Sequence, residues 1–118
     1  MITDLKYLQQ MTGNDRDMMK EMIELFLSQL VEVRSDFAIL MSNKNWVELS
    51  RLAHKIKSSA IIMGVEDMSN EMKELELLAK ESKSPEKYSE YIARFNNMTD
   101  MVDVELKTFL ASSETHTH

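Results

Sequence analysis

The sequence contains no cysteine, a single proline and only 2 glycines among its 118 residues. Without cysteine there is no disulfide framework, thiolate metal site or thiol nucleophile. So few helix breakers favour long helices. No apolar run approaches the roughly 20 residues that cross a bilayer. The opening MITDLKYLQQ lacks the basic-then-apolar pattern of a secretion signal. The expectation is therefore a cytoplasmic domain with no membrane partner. Basic charge is also scarce: 14 Lys and Arg stand against 20 Asp and Glu, a net charge of -6, which argues against nucleic acid as a partner. What remains is 43% hydrophobic and 29% charged, enough apolar material for one core and too much for a disordered chain.

The apolar residues recur with the helical period. A short piece from Ile2 to Met11 ends at Thr12-Gly13, and Asn14 is placed to cap the next helix. Met18, Met22, Leu25, Phe26, Leu30, Val33, Phe37 and Leu40 then form one stripe. After the turn Ser42-Asn43-Lys44, Asn45 and Glu48 resemble a capping box. The following helix carries Trp46, Leu49, Leu52, Ala53, Ile56, Ala60 and Met63 inward and stops at Gly64. A third helix, from about Glu66 to Lys83, turns Val65, Met68, Met72, Leu75, Leu78 and Ala79 inward. Ser84-Pro85 reads as a cap followed by proline at the first helical position. The last helix presents Tyr88, Ile92, Phe95, Met98, Val102, Leu106 and Phe109.

This pattern predicts an all-α domain over residues 1–111, an antiparallel up-down-up-down four-helix bundle with a short extra N-terminal helix, followed by a disordered polar tail at 112–118. Most of the 11 methionines fall on inward stripes and read as core rather than as a soft binding groove.

One residue sits on the wrong face for the core. With about 100° per residue, His54 points roughly 150° away from the apolar centre at Ile56 and Ala60. Ser50, Lys57, Ser58 and Ile61 share its strip at helical spacing, with Arg51 and Lys55 beside it. Between Glu48 and Glu66 there is no acidic residue, so this is a basic island in an acidic chain. A neutral imidazole is a competent nucleophile near neutral pH. A phosphoryl group on it would find Lys57 one turn away. Ser58 leaves room for a partner's active site, and Ile61 offers an apolar contact. A solvated histidine on an ordinary basic helix face is also compatible with this pattern, and periodicity leaves both readings open.

The stretch Leu52-Ala53-His54-Lys55-Ile56-Lys57-Ser58-Ser59-Ala60-Ile61-Ile62-Met63-Gly64 closely resembles the signature of histidine-containing phosphotransfer domains. That signature has an accepting histidine, a lysine and small residues after it, and a glycine ten positions on, here Gly64. Met68, Met72, Leu75 and Glu76 are similar to the family's next helix. Upstream, Asp4 to Leu8, Gly13-Asn14-Asp15, Glu24 to Leu27 and Asn45-Trp46 extend the resemblance over roughly residues 2 to 110.

The resemblance implies a four-helix fold and a phosphorelay intermediate. His54 would be the phosphoacceptor and Lys57 its electrostatic partner, with Ser50, Arg51, Lys55, Ser58, Ile61 and Gly64 facing the partner protein. Glu76 would lie beside the imidazole, where many members have Gln, either turned away, paired or simply solvated. Ser58 stands where glycine is most common.

The implied partners are response-regulator receiver domains and, as a further candidate, a hybrid sensor histidine kinase. The chain itself would bind no cofactor and no metal, Mg²⁺ being supplied by the receiver, and would act as a monomer. With no glycine-rich phosphate loop it is not expected to use ATP, so it would be a carrier and not an enzyme. A kinase dimerisation domain fits less well, because His54 is followed by Lys55 and no proline occurs before Pro85. The other alternative is a helical adaptor that binds a signalling partner without being phosphorylated. His116 and His118 fall in the polar tail and at most bind metal adventitiously.

Overall fold

The breaker residues set the element boundaries. In the computed structural model, which describes residues 1–115, α1 (Lys6–Thr12) is followed by α2 (Arg16–Ser42), α3 (Trp46–Ile62), α4 (Glu66–Lys80) and α5 (Tyr88–Thr115). Gly13 closes α1 at φ 63°, in the left-handed region that glycine enters without a Cβ clash. Asn14 follows at φ 62°, still inside the reversal. The cap of α2 is therefore Asp15 and not Asn14: its carboxylate accepts a hydrogen bond from the Met18 amide at 3.1 Å.

Asn45 caps α3 as expected, accepting from the Glu48 amide at 3.3 Å. Glu48 does not complete the box, because its carboxylate takes Arg51 at 2.6 Å. Two left-handed residues, Ser82 at φ 53° and Ser84 at φ 51°, end α4 at Lys80, short of Lys83. Ser84 makes no side-chain cap; Pro85 opens a 3-10 turn over Pro85–Lys87 before α5 begins. α5 itself runs to Thr115, past the expected end at Ala111, and residues 116–118 with both tail histidines lie outside the described residues.

Four long helices close around one core. α2 packs on α3 and α5, and α4 packs on α3 and α5, most extensively on α3. Phe37 of α2 meets Phe95 of α5 edge to face with centroids 5.3 Å apart. Trp46 and Tyr88 make a similar contact at 5.1 Å, and the buried Tyr88 hydroxyl donates to the Leu78 carbonyl.

The buried line of α2 is Met19, Ile23, Phe26, Leu30, Val33 and Phe37. Met18 and Leu25, expected inside, are exposed at 47% and 65%, and Met22 is half-buried. The first half of α2 carries two adjacent apolar lines, and packing against the neighbouring helices selects the line that also contains Phe26. Met18 and Leu25 thereby become surface, Leu25 in a groove shared with Lys55, Ser59 and Ile62 of α3. On α3, Leu49, Ala53, Ile56 and Ala60 are buried, with Trp46 and Leu52 at the edge.

The N-terminal strap ties the bundle together. The amides of Ile2 and Thr3 and the Thr3 hydroxyl all donate to the Glu105 carboxylate, at 2.9, 3.0 and 2.7 Å. Burial alone would raise the Glu105 pKa, but these hydrogen bonds hold it below its ordinary value of 4.5. This contact contributes fully above the ordinary carboxylate pKa and is lost as pH falls through the depressed one. The next residue, Asp4, lays its carbonyl over Gly64, where φ is +64° and any Cβ would lie only 1.8 Å from that oxygen. No helix among the described residues is long and apolar enough to cross a membrane.

Candidate functional site

His54 lies in the middle of α3 on the solvent side, its side chain 60% exposed. The ring is held from one edge. Nδ1 lies 2.8 Å from Oε2 of Glu76, which reaches across from α4. The other oxygen of the same carboxylate, Oε1, accepts from Nζ of Lys57 at 2.9 Å. Glu76 is 19% and Lys57 21% exposed, so the carboxylate sits in the seam between the two helices while the ring projects outward. Glu76 is thus neither solvated nor turned away. It is paired twice.

The electrostatics fix the tautomer. Burial by itself would raise the Glu76 pKa, but hydrogen bonds from Lys57 and then His54, with the attraction of the lysine charge, hold it below its ordinary value. A carboxylate in that state accepts hydrogen bonds and donates none. In the neutral ring Nδ1 of His54 then carries the proton, which leaves the lone pair on Nε2, at the edge away from Glu76. A nucleophilic nitrogen on an exposed edge, with an ammonium within one helical turn, is suited to taking a phosphoryl group.

The remaining expected residues separate into two sets. Arg51, Lys55, Ser58 and Ile61 are all exposed, Ile61 at 54%. Arg51 is engaged by Glu48, and the Ser58 hydroxyl donates back to the His54 carbonyl at 3.2 Å, as serine often does within a helix. Lys55 faces α2, lining grooves with Asp36 and Leu40 on one side and with Met22, Leu25 and Ile62 on the other.

Ser50 does not lie where a partner would touch it as expected, whereas Gly64 is half-buried and lines a cleft with Lys57, Ile61 and Lys73. Ser50 is 7% exposed, its hydroxyl donating to the backbone carbonyl of Glu76 at 3.0 Å. It sits on the α4 side of the strip, so helix packing covers it, and it anchors the backbone of the residue that holds His54. Gly64 is there for the close approach of Asp4.

Several residues of this surface escaped the sequence reading. Lys73 and Lys80, three before and four after Glu76, are exposed on α4 one turn to either side of it. Their spacing from Glu76 was a usable signal. Lys73 lines a cleft with Lys57, Ile61 and Tyr7, so α1 also borders the site. The exposed Leu25, in the groove with Lys55, was missed because a continuous stripe accounted for it as core.

The sequence matches the family model described as the Hpt domain over residues 21–105, well over half of the chain and inclusive of both His54 and Glu76. The chain belongs to the Hpt domain family. Its class is thereby histidine phosphotransfer within two-component phosphorelays, by carriers that do not use ATP. No curated protein and no solved structure matches the chain.

Proposed function

We propose that His54 is the phosphoacceptor of a phosphorelay intermediate: Nε2 takes a phosphoryl group from the phosphoaspartate of one receiver domain and returns it to the aspartate of another. The observation that carries this is the exposed ring whose Nδ1 is held at 2.8 Å by a carboxylate that also holds Lys57 at 2.9 Å. In the neutral ring this arrangement leaves the lone pair on Nε2, outward-facing and close to a cation.

Phosphoryl transfer is largely positioning and charge neutralisation. Lys57 neutralises part of the incoming phosphoryl charge, and the receiver contributes Mg²⁺ and the acidic pocket. The exposed cations Lys55, Lys73 and Lys80 complement that pocket. Ile61 on the strip, and the groove between α2 and α3 lined by Met22, Leu25 and Ile62, supply the apolar part of docking. The short connections between contacting helices support the up-down-up-down topology, and the carrier works as a cytoplasmic monomer.

The test is transfer from a phosphorylated receiver, followed by intact-mass detection with a His54→Gln control. An acid-labile adduct of one phosphoryl group on the native chain, absent from His54→Gln, is the expected result. A folded chain that binds a receiver yet never gains the adduct would instead be a helical adaptor.

A further inference from the structure

We propose that the cleft between α1, α3 and α4 binds a small phosphate monoester whose far end carries amino or hydroxyl groups. Its occupancy slows the relay. The binding stands on the cleft alone, and the effect on transfer rests on the reading of His54 as acceptor.

The cleft holds about 760 Å³, within the range of small-ligand sites. Its two ends differ in charge. α3 ends and α4 begins at the turn around Gly64, and Lys57 of one meets Glu76 of the other at 2.9 Å. Lys73, three residues before Glu76, therefore stands level with Lys57 at the end nearer His54, whereas Asp4 and Glu66 stand at the turn.

The cations have donors to spare. Lys57 gives Glu76 one of the hydrogen bonds an ammonium can make, and Lys73 forms no ion pair among the described residues. Lys6, also without an ion pair among them, adds a third ammonium from α1. At the turn the acids have acceptors to spare. Asp4 spends Oδ1 on the Lys6 amide at 3.1 Å and makes no other side-chain hydrogen bond among the described residues, and Glu66 forms no ion pair there.

Between the two ends Ser69 points to a ligand. It is only 9% exposed, yet its hydroxyl makes no hydrogen bond among the described residues. Ser58 and Ser59 on α3 turn their hydroxyls back to the carbonyls four residues earlier, at 3.2 and 3.4 Å, and Ser69 does not. A hydroxyl covered by packing is costly without a partner, and the cleft is where Ser69 meets open space. Lys73 lies one turn beyond it on the same face of α4, so both reach one oxyanion.

Ammonium groups and a hydroxyl on one side suit an anion with many acceptors. A phosphate monoester brings three oxygens and a charge of about −1.5 to −2. Its bound oxygens would draw on the spare donors of Lys57 before a phosphoryl group arrives, and the ligand would cover Ile61. Both effects slow transfer.

The test titrates the full chain with glucosamine 6-phosphate, a phosphate at one end and an ammonium at the other, followed by amide proton–nitrogen spectra. Saturable shifts at Ser69, Asn70 and Lys73 with a dissociation constant at or below about 1 mM are expected. Glucosamine alone and inorganic phosphate alone should each bind at least roughly tenfold more weakly. Ser69→Ala should weaken binding about 3- to 10-fold, and Lys73→Glu by more than about tenfold. Shifts that fail to saturate, that inorganic phosphate reproduces equally, or that survive Lys73→Glu unchanged would overturn the site. If Ser69→Ala loses its helical circular dichroism, Lys6→Glu on exposed α1 must weaken binding in its place.

The relay is read separately, with a phosphorylated receiver as donor. Saturating glucosamine 6-phosphate should slow transfer to wild type about 3- to 10-fold. Ser69→Ala should transfer at the wild-type rate without the probe and be slowed less at the same probe concentration. Binding with no change in rate would overturn the effect on the relay. A chain that binds the probe but gains no adduct even in its absence would remove the acceptor reading and leave the site standing.

Discussion

α4 meets two neighbours, and its carboxylates meet them in different ways. Toward α5, Glu71 takes Arg94 at 2.8 Å and Glu74 takes the Tyr91 hydroxyl at 3.0 Å, while the Arg94 guanidinium lies 4.7 Å over the Tyr91 ring. Each acid there has its own donor, and the donors also contact each other. Toward α3, one acid, Glu76, serves both an imidazole and an ammonium. The α5 seam is closed, with its charges answered. In the α3 seam an imidazole nitrogen remains outside the contact and an ammonium has spare donors. Both seams are ionic and both hold helices together, but only the second leaves chemistry available at the surface. Saturation, more than the presence of charge, separates a structural contact from a reactive one.

The sharpest way to break this comparison is Lys57→Ala. The α3 seam should lose function and keep its fold, because Ala53, Ile56 and Ala60 carry the packing beneath it. We expect phosphoryl transfer to slow by about 10- to 100-fold, the scale of losing one charge-stabilising donor. Helical circular dichroism should not change. A fall in helicity would mean that Lys57 supports the bundle and that the two seams are alike.

Ile61→Asp probes the same face at its rim. Ile61 is exposed and lines the cleft with Tyr7, Lys57 and Lys73. An acid there would meet the acidic pocket of a receiver and remove an apolar contact. Receiver affinity should drop roughly tenfold, measured by titration, with the thermal midpoint unchanged. An unaltered affinity would take the cleft out of the docking surface and confine docking to the groove between α2 and α3.

How much of this contrast was legible beforehand depends on which link in the chain carried it. The helices, the breaks at Gly13 and Gly64 and the outward direction of His54 follow from period and local chemistry, and α3 and α4 start within one residue of the expectation. Facts that depend on packing between helices were not available. The stretch from Glu48 to Glu66 is free of acids in sequence, yet α4 delivers Glu76 into the middle of it, a neighbourhood that the family resemblance implied and that period and spacing did not. Ser50 lies on the correct side of α3 to be near His54, but that side is covered by α4. On α2, Met18 and Met19 are adjacent, and the choice between their two lines is made by neighbours that a one-helix projection does not contain. Gly64 was noticed for the right spacing, while its cause, the Asp4 carbonyl, lies sixty residues away in sequence.

The smallest expected effect belongs to the closed seam. Arg94 is 47% exposed, so its pair with Glu71 is screened by solvent, and surface pairs of this kind contribute about 0.5–1 kcal/mol even with good geometry. Its position over Tyr91 adds a cation–π contact of similar or smaller size. Arg94→Ala should therefore lower the thermal midpoint by about 2–5 °C and leave phosphoryl transfer at the wild-type rate. The loss should shrink as salt is raised, because screening already removes part of the pair. The informative outcome is the rate. α4 is one rigid helix carrying both seams, so a loosened α5 contact that slowed transfer would show that Glu76 is aimed from the far side of its own helix. An unchanged rate with a lower midpoint would show that the α3 seam, with the Ser50 hydroxyl on the Glu76 carbonyl and Lys57 on its carboxylate, is sufficient to aim it.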